Sequence, residues 1–204
     1  GRKAPAEWAP VSRAARIHAK PAGASALVAS LPVRTPERTT NIVQVLDRRR
    51  TASGLWVRVR VPGVPRSREG WVPRAALGSP RGVATELVVD RVRHRVTLTR
   101  HGRVVLTAPA AVGAAGSPTP PGSFYIRNRL TRYRSAFYGP IAFGTSARSA
   151  VLTDWPSGGF VGIHGTNRPD LIPGNVSHGC VRLRNRDILR LDSLMPIGTP
   201  VTII

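Results

Sequence analysis

Glycine and proline punctuate this chain at short intervals, and that punctuation sets the strongest limit on its fold. With 20 glycines and 19 prolines in 204 residues, few stretches are long enough for an ordinary helix. Proline removes a backbone donor, and glycine is costly in a helix interior. Between the breaks stand short runs rich in β-branched residues. In "LWVRVRV", Leu55, Val57, Val59 and Val61 alternate with Trp56, Arg58 and Arg60. Period-two alternation marks a strand with one apolar face. "SALVAS", "NIVQVL", "TELVVD" and the terminal "PVTII" read as further strands. "RVTLTRHGRVVLTAP" reads as a hairpin turning at His101-Gly102. "SPTPPGSFYI" is a rigid proline turn entering a strand, and "VLTDWPSGGFVGIHG" is a strand, a turn and a second strand ending at His164. One helix is expected. Asn185 suits its N-cap, Ile188, Leu191 and Leu194 give it an apolar face, and Pro196 and Gly198 end it. The class is mainly β.

Composition suggests how the chain divides. Residues 1–24 are rich in Ala, Pro and basic residues without a period, and read as a tail or linker. Residues 25–79 carry evenly spaced short strands that fit a small β-barrel. "GSPRG", Gly78 to Gly82, reads as a linker, with residues 80–84 separating the barrel from a second β-rich unit, 85–204. "WVRVRVPG" and "REGWVPRAAL" resemble a bacterial SH3-like domain, a small barrel that often accompanies cell-wall enzymes, and Gly70-Trp71-Val72-Pro73 is the best-matching piece. Trp56 and Trp71 are expected in its core rather than as ligand anchors.

The formal net charge is +21, almost all of it arginine; the lysines are Lys3 and Lys20. The arginines are scattered, neither gathered on one face nor interleaved with aromatics as single-strand nucleic-acid binding requires. They predict a general attraction to anionic surroundings, such as acidic cell-wall polymers, and no specific nucleic-acid recognition. No apolar run reaches membrane-spanning length. The opening "GRKAPAEWAP" has no apolar signal region, which fits either a processed exported protein or a cytosolic one.

Cys180, in "SHGCVRLRN", is the single cysteine. An intrachain disulfide and a cysteine-cluster zinc site are thereby excluded. His164, His178 and Cys180 lack a carboxylate to complete another metal set, so no metal or cofactor is expected. A thiol becomes an effective nucleophile when an imidazole takes its proton. Two histidines qualify: His178, two residues before the cysteine, and His164, sixteen before it at a strand end. Gly179 allows a tight turn, and the amides of Gly179 and Cys180 suit an oxyanion site.

"IHGT", "SHGCVRL" and the following asparagine resemble the signature of the L,D-transpeptidase (YkuD-like) catalytic domain family. "TPPGSFYI", "GIHGTN" and "NRDILRL" extend the resemblance over about residues 85–204. The resemblance implies a β-sandwich or barrel-like catalytic fold with one short helix after the cysteine loop. It implies that Cys180 attacks the L-centre carbonyl of a peptidoglycan stem peptide, releases D-alanine and passes the acyl group to an amine, giving a 3→3 cross-link. It makes His164 the base, Gly165 its backbone orienter, and Gly179 with Cys180 the oxyanion site. His178 has an orienting place in the loop, and Arg182, Ser177 and Tyr138 are candidates for substrate contact. Ser177 suits a turn hydrogen bond equally well, and Tyr133, Phe137, Tyr138 and Trp155 suit either a cleft or the core. Asp154 is read as a turn acid. Papain-like wall hydrolases place cysteine before histidine, the reverse of the order here. An L,D-carboxypeptidase and a non-catalytic wall-binding protein are the competing readings of the same residues. A peptidoglycan cross-linker acts outside the cytoplasmic membrane, so the resemblance implies export.

Overall fold

A computed structural model describes residues 5–64, 66–131, 135–149, 151 and 159–204. Its first sheet holds β1 (Ala6–Pro10), β2 (Ala15–His18), β3 (Leu27–Leu31), β4 (Ile42–Thr51), β5 (Gly54–Val61), β6 (Arg68–Pro73) and β7 (Arg81–Val83). They are ordered β3-β2-β6-β5-β4-β1-β7. The alternation in β5 is realised: Val57, Val59 and Val61 are buried while Arg58 is exposed. Trp56 and Trp71 are buried as well. Trp56 donates its indole N–H to Ser53 Oγ, which satisfies the ring's one polar group.

Two segments differ from their compositional reading. The expected tail, 1–24, contributes β1 and β2, with Trp8, Ala9 and Ile17 all buried. Strands of five and four residues show too few alternations to stand out, and β1 finds its partners far along the chain, in β4 and β7. The expected linker, 80–84, supplies β7 for the same reason.

The second sheet holds β8 (Thr85–Asp90), β9 (Arg95–Arg100), β10 (Arg103–Pro109), β11 (Ala111–Gly113), β12 (Gly122–Leu130), β13 (Ala142–Arg148), β14 (Phe160–His164), β15 (Gly174–Ser177), β16 (Val181–Arg182) and β17 (Pro200–Ile203). Its order is β10-β9-β8-β17-β12-β13-β14-β16-β11-β15. Leu106 of β10 and Ile163 of β14 lie far apart in this order, yet both join one buried cluster. Only a strongly curled sheet brings them together. The helix α1 (Asn185–Leu194) adds Ile188 and Leu191, both fully buried, to the same core. Its N-cap is Arg184, one residue earlier than expected. The first strand read into "VLTDWPSGG" falls mostly outside the described residues.

The sheets are tied together by side chains. Trp8, Ile42 and Val83 of the first sheet cluster with Tyr125 of β12. The Tyr125 hydroxyl donates to the carbonyl of Ile42 at 3.1 Å. Arg127 on β12 bonds Glu37 at 2.5 Å, with side chains only 2% and 4% exposed. Asn128 donates to the same carboxylate and to Thr39.

Candidate active site

Strands β14 and β16 lie side by side and parallel, pairing Ile163 with Val181 and His164 with Arg182. That register sets Cys180 beside Gly162. Because side chains alternate along a strand, His164 and Arg182 share a face with Gly162 and Cys180, while Ile163 and Val181 enter the core. The Gly162 N–H donates to Cys180 Sγ at 3.3 Å. A backbone donor aimed at sulfur favours the thiolate over the thiol. Leu183 N–H donates to the His164 carbonyl and closes the ladder beyond the pair.

His164 is fully buried. Its Nδ1 lies 2.6 Å from the carbonyl of Gly165. A carbonyl only accepts, so Nδ1 carries the proton and Nε2 carries the lone pair. Nε2 is buried and has no hydrogen-bond partner among the described residues. Burial pushes the imidazole pKa down to about 4; the bond to Gly165 opposes this, and the nearby positive charge of Arg182 adds to it. The ring is neutral at physiological pH, with Nε2 as its unprotonated nitrogen. Tyr138 meets it edge-on, with centroids 4.8 Å apart, and Phe137 lies 6.0 Å away. Both aromatics come from a short 3₁₀ turn, Ala136–Tyr138.

The cysteine loop is braced from within. Buried Ser177 donates its hydroxyl to the Cys180 carbonyl at 2.6 Å and accepts the Gly179 N–H at 3.1 Å. Both bonds fit the turn reading of Ser177. The Gly179 amide is engaged inside the loop rather than presented to an oxyanion. Gly179 has φ of 123°, which suits glycine alone. From the "TPPG" turn, the Thr119 hydroxyl donates to the Gly179 carbonyl at 2.9 Å and accepts the Gly113 N–H.

The remaining expected residues separate by exposure. His178 sits at the exposed tip of the loop, while His164 occupies the buried face beside Cys180. Buried Arg182 stacks its guanidinium over Phe137, 4.6 Å from the ring centroid. Tyr138 is buried and packs edge-on against the His164 ring. Asn185 makes no capping bond; its Oδ1 accepts the Thr166 N–H instead. Tyr133, Asp154 and Trp155 lie outside the described residues. The contributions of Gly162, Thr119 and Asn185 escaped sequence reasoning. The glycine acts through its backbone, and the other two had ordinary readings as turn and cap. Among the described residues no group of three or more His, Cys, Asp or Glu is placed to hold a metal ion.

A buried neutral histidine and a cysteine on one face of a short parallel ladder bring a proton acceptor and a thiol to the same site. The family model for the YkuD L,D-transpeptidase catalytic domain matches residues 84–203. The Bacillus subtilis protein YkuD, described as an L,D-transpeptidase, is 38% identical over 127 residues, covering 62% of this chain and 70% of that protein. L,D-transpeptidase 1 of Mycobacterium tuberculosis is 30% identical over 118 residues, and this chain spans 47% of its length. In fold, the LD transpeptidase LdtMt1 solved in complex with imipenem superposes at a TM-score of 0.52 and 21% identity, covering 99% of this chain and 100% of that one. The chain belongs to the YkuD L,D-transpeptidase catalytic domain family.

Proposed function

We propose that the protein is a cysteine-dependent peptidoglycan L,D-transpeptidase that forms 3→3 cross-links, with Cys180 as nucleophile and His164 as base. The observation that carries this reading is the state of His164: buried, neutral, Nδ1–H held by Gly165, and Nε2 unpartnered among the described residues on the face that carries Cys180. His164 Nε2 takes the thiol proton, and Sγ attacks the carbonyl carbon of the stem peptide's L-centre. The amide bond to the terminal D-alanine breaks, and the departing amine takes the proton from His164. A thioester remains. An acceptor amine attacks it, gives a proton to His164 and displaces Sγ, which recovers that proton as the thiol. Gly162 N–H favours the thiolate at both ends of the cycle. On this reading the protein works outside the cytoplasmic membrane, and the N-terminal sheet is an SH3-like accessory unit at the wall.

Intact-mass measurement after incubation with a carbapenem tests the nucleophile. The expected result is a single adduct mapping to Cys180 and missing in Cys180→Ser. Wild-type protein that stays unmodified would sink the reading. A disaccharide-tetrapeptide substrate then separates transfer from hydrolysis: a cross-linked dimer is expected, and a trimmed tripeptide alone would assign an L,D-carboxypeptidase.

A further inference from the structure

The base of this site is held by a single peptide unit, and that unit is itself held from its other side. The Gly165 carbonyl accepts His164 Nδ1–H at 2.6 Å. The N–H of the same peptide plane, on Thr166, donates to Asn185 Oδ1 at 2.9 Å. A trans peptide is planar, with its C=O and N–H pointing in opposite directions. Fixing the N–H therefore fixes where the carbonyl points. The Asn185 amide sits in a slot with no room to spare. A Cβ on Gly139 would come within 2.5 Å of Asn185 Oδ1, and one on Gly165 would overlap the same oxygen. Two glycines thus leave the space that this oxygen fills. Asn185 stands in the first turn of α1, whose Ile188 and Leu191 are buried in the core. Its backbone position is set by the core, and its side chain is not spent on capping.

We infer that Asn185 is a positioning residue for the base: it orients the Gly165–Thr166 peptide so that the carbonyl holds His164 as the Nδ1–H tautomer with Nε2 free to accept a proton. The chain of bonds runs from Thr166 N–H on Asn185 Oδ1, through the peptide, to His164 Nδ1–H on the Gly165 carbonyl. Donation at one end of a peptide polarises it and strengthens acceptance at the other. Without Asn185 the peptide plane is released, and Nδ1–H loses its fixed acceptor in a site too buried for water to replace it. The inference rests on the reading of His164 as the base for Cys180.

The test uses three variants of the full chain. Asn185→Ala removes the acceptor, Asn185→Leu fills the slot without one, and Asn185→Asp restores an acceptor of the same shape. Folding is monitored by circular dichroism, so Asn185→Leu carries the comparison if the smaller side chain does not fold. Two readouts are taken: the rate of carbapenem acylation, and the downfield proton resonance of His164 Nδ1–H with its ring ¹⁵N shifts. Loss of an orienting partner should slow acylation by roughly ten- to a hundredfold in Asn185→Ala and Asn185→Leu. Both should also lose the protected Nδ1–H resonance. Asn185→Asp should recover both. A folded Asn185→Leu that keeps the resonance and the wild-type rate overturns the inference, as does Asn185→Asp behaving like Asn185→Leu. Wild-type protein that fails to acylate would sink the reading of Cys180 instead, and the resonance would still decide the role of Asn185.

Discussion

An imidazole with no exposed surface is costly to charge, and His164 carries that cost in the folded state. Its unfolded counterpart takes up a proton near pH 6.5, while the folded ring does so only near 4. Between those values the unfolded chain binds more protons, so stability falls as the pH drops through this window and is fully present above it. The size is on the order of 3 kcal/mol. Urea midpoints at pH 7.5 and pH 4.5 should therefore lie further apart for wild type than for His164→Gln. Equal separations would mean that the ring is not desolvated. The same shift keeps the His164 ring neutral at pH values well above 4. Cys180 stands out in the sequence as a candidate because glycine and histidine surround it in a segment without apolar period. The choice of His164 over His178 was not legible from spacing. It depends on which strand lies beside which, and that is a pairing between positions eighteen residues apart. The Gly162 donor left no trace at all, since a backbone N–H has no residue type.

Two elements make the site, and a third steadies it. The parallel pair β14 and β16 sets His164 and Cys180 on one face, and the turn before β12 reaches across to the cysteine loop through Thr119. Thr119 is 1% exposed, and its hydroxyl serves both the Gly179 carbonyl and the Gly113 N–H. Thr119→Val keeps the shape and strands both backbone groups. The expected loss is about 1–3 kcal/mol of stability, with slower acylation of Cys180 because its loop loses the brace. A thermal-shift and acylation pair checks this, and an unchanged rate would show that Ser177 alone fixes the loop. The sequence identified the strands here through their alternation and the turn through its prolines. It did not identify the brace. Threonine after a loop suits a turn in many settings, and only the folded distance to Gly179 gives it this one. Asn185 misled in the same way: its type suits an N-cap, yet the helix begins one residue earlier and leaves the amide available to Thr166.

Across the whole molecule, the two sheets meet through buried polar contacts as well as apolar ones. Arg127 and Glu37 form an ion pair shut off from solvent, and Arg127 also stacks on Phe160 with its guanidinium 3.8 Å from the ring centroid. Phe160 begins the strand that ends at His164. Removing one member of a buried pair leaves the other charge uncompensated, so Glu37→Ala should cost about 3–5 kcal/mol. Its urea transition should come at lower concentration for both sheets together. Two separate transitions would show that they fold independently. The division of the chain was the least legible part of the sequence, because composition reports what a segment is made of and not what it docks against. Residues 1–24 look like a tail by alanine and proline content, yet Trp8 packs so closely on Gly198 that a Cβ there would overlap the indole. This contact has a consequence for inheritance. The stretch that the family model matches, 84–203, is shorter than the stretch that completes the fold. Excised alone, it would strip Tyr125 of the Ile42 carbonyl, Arg127 of Glu37 and Gly198 of its indole cover. In this protein the catalytic part is not a cassette. A recombination event that moved it to a new neighbour would have to bring β1 and the Glu37 loop along, or rebuild the face that they cover.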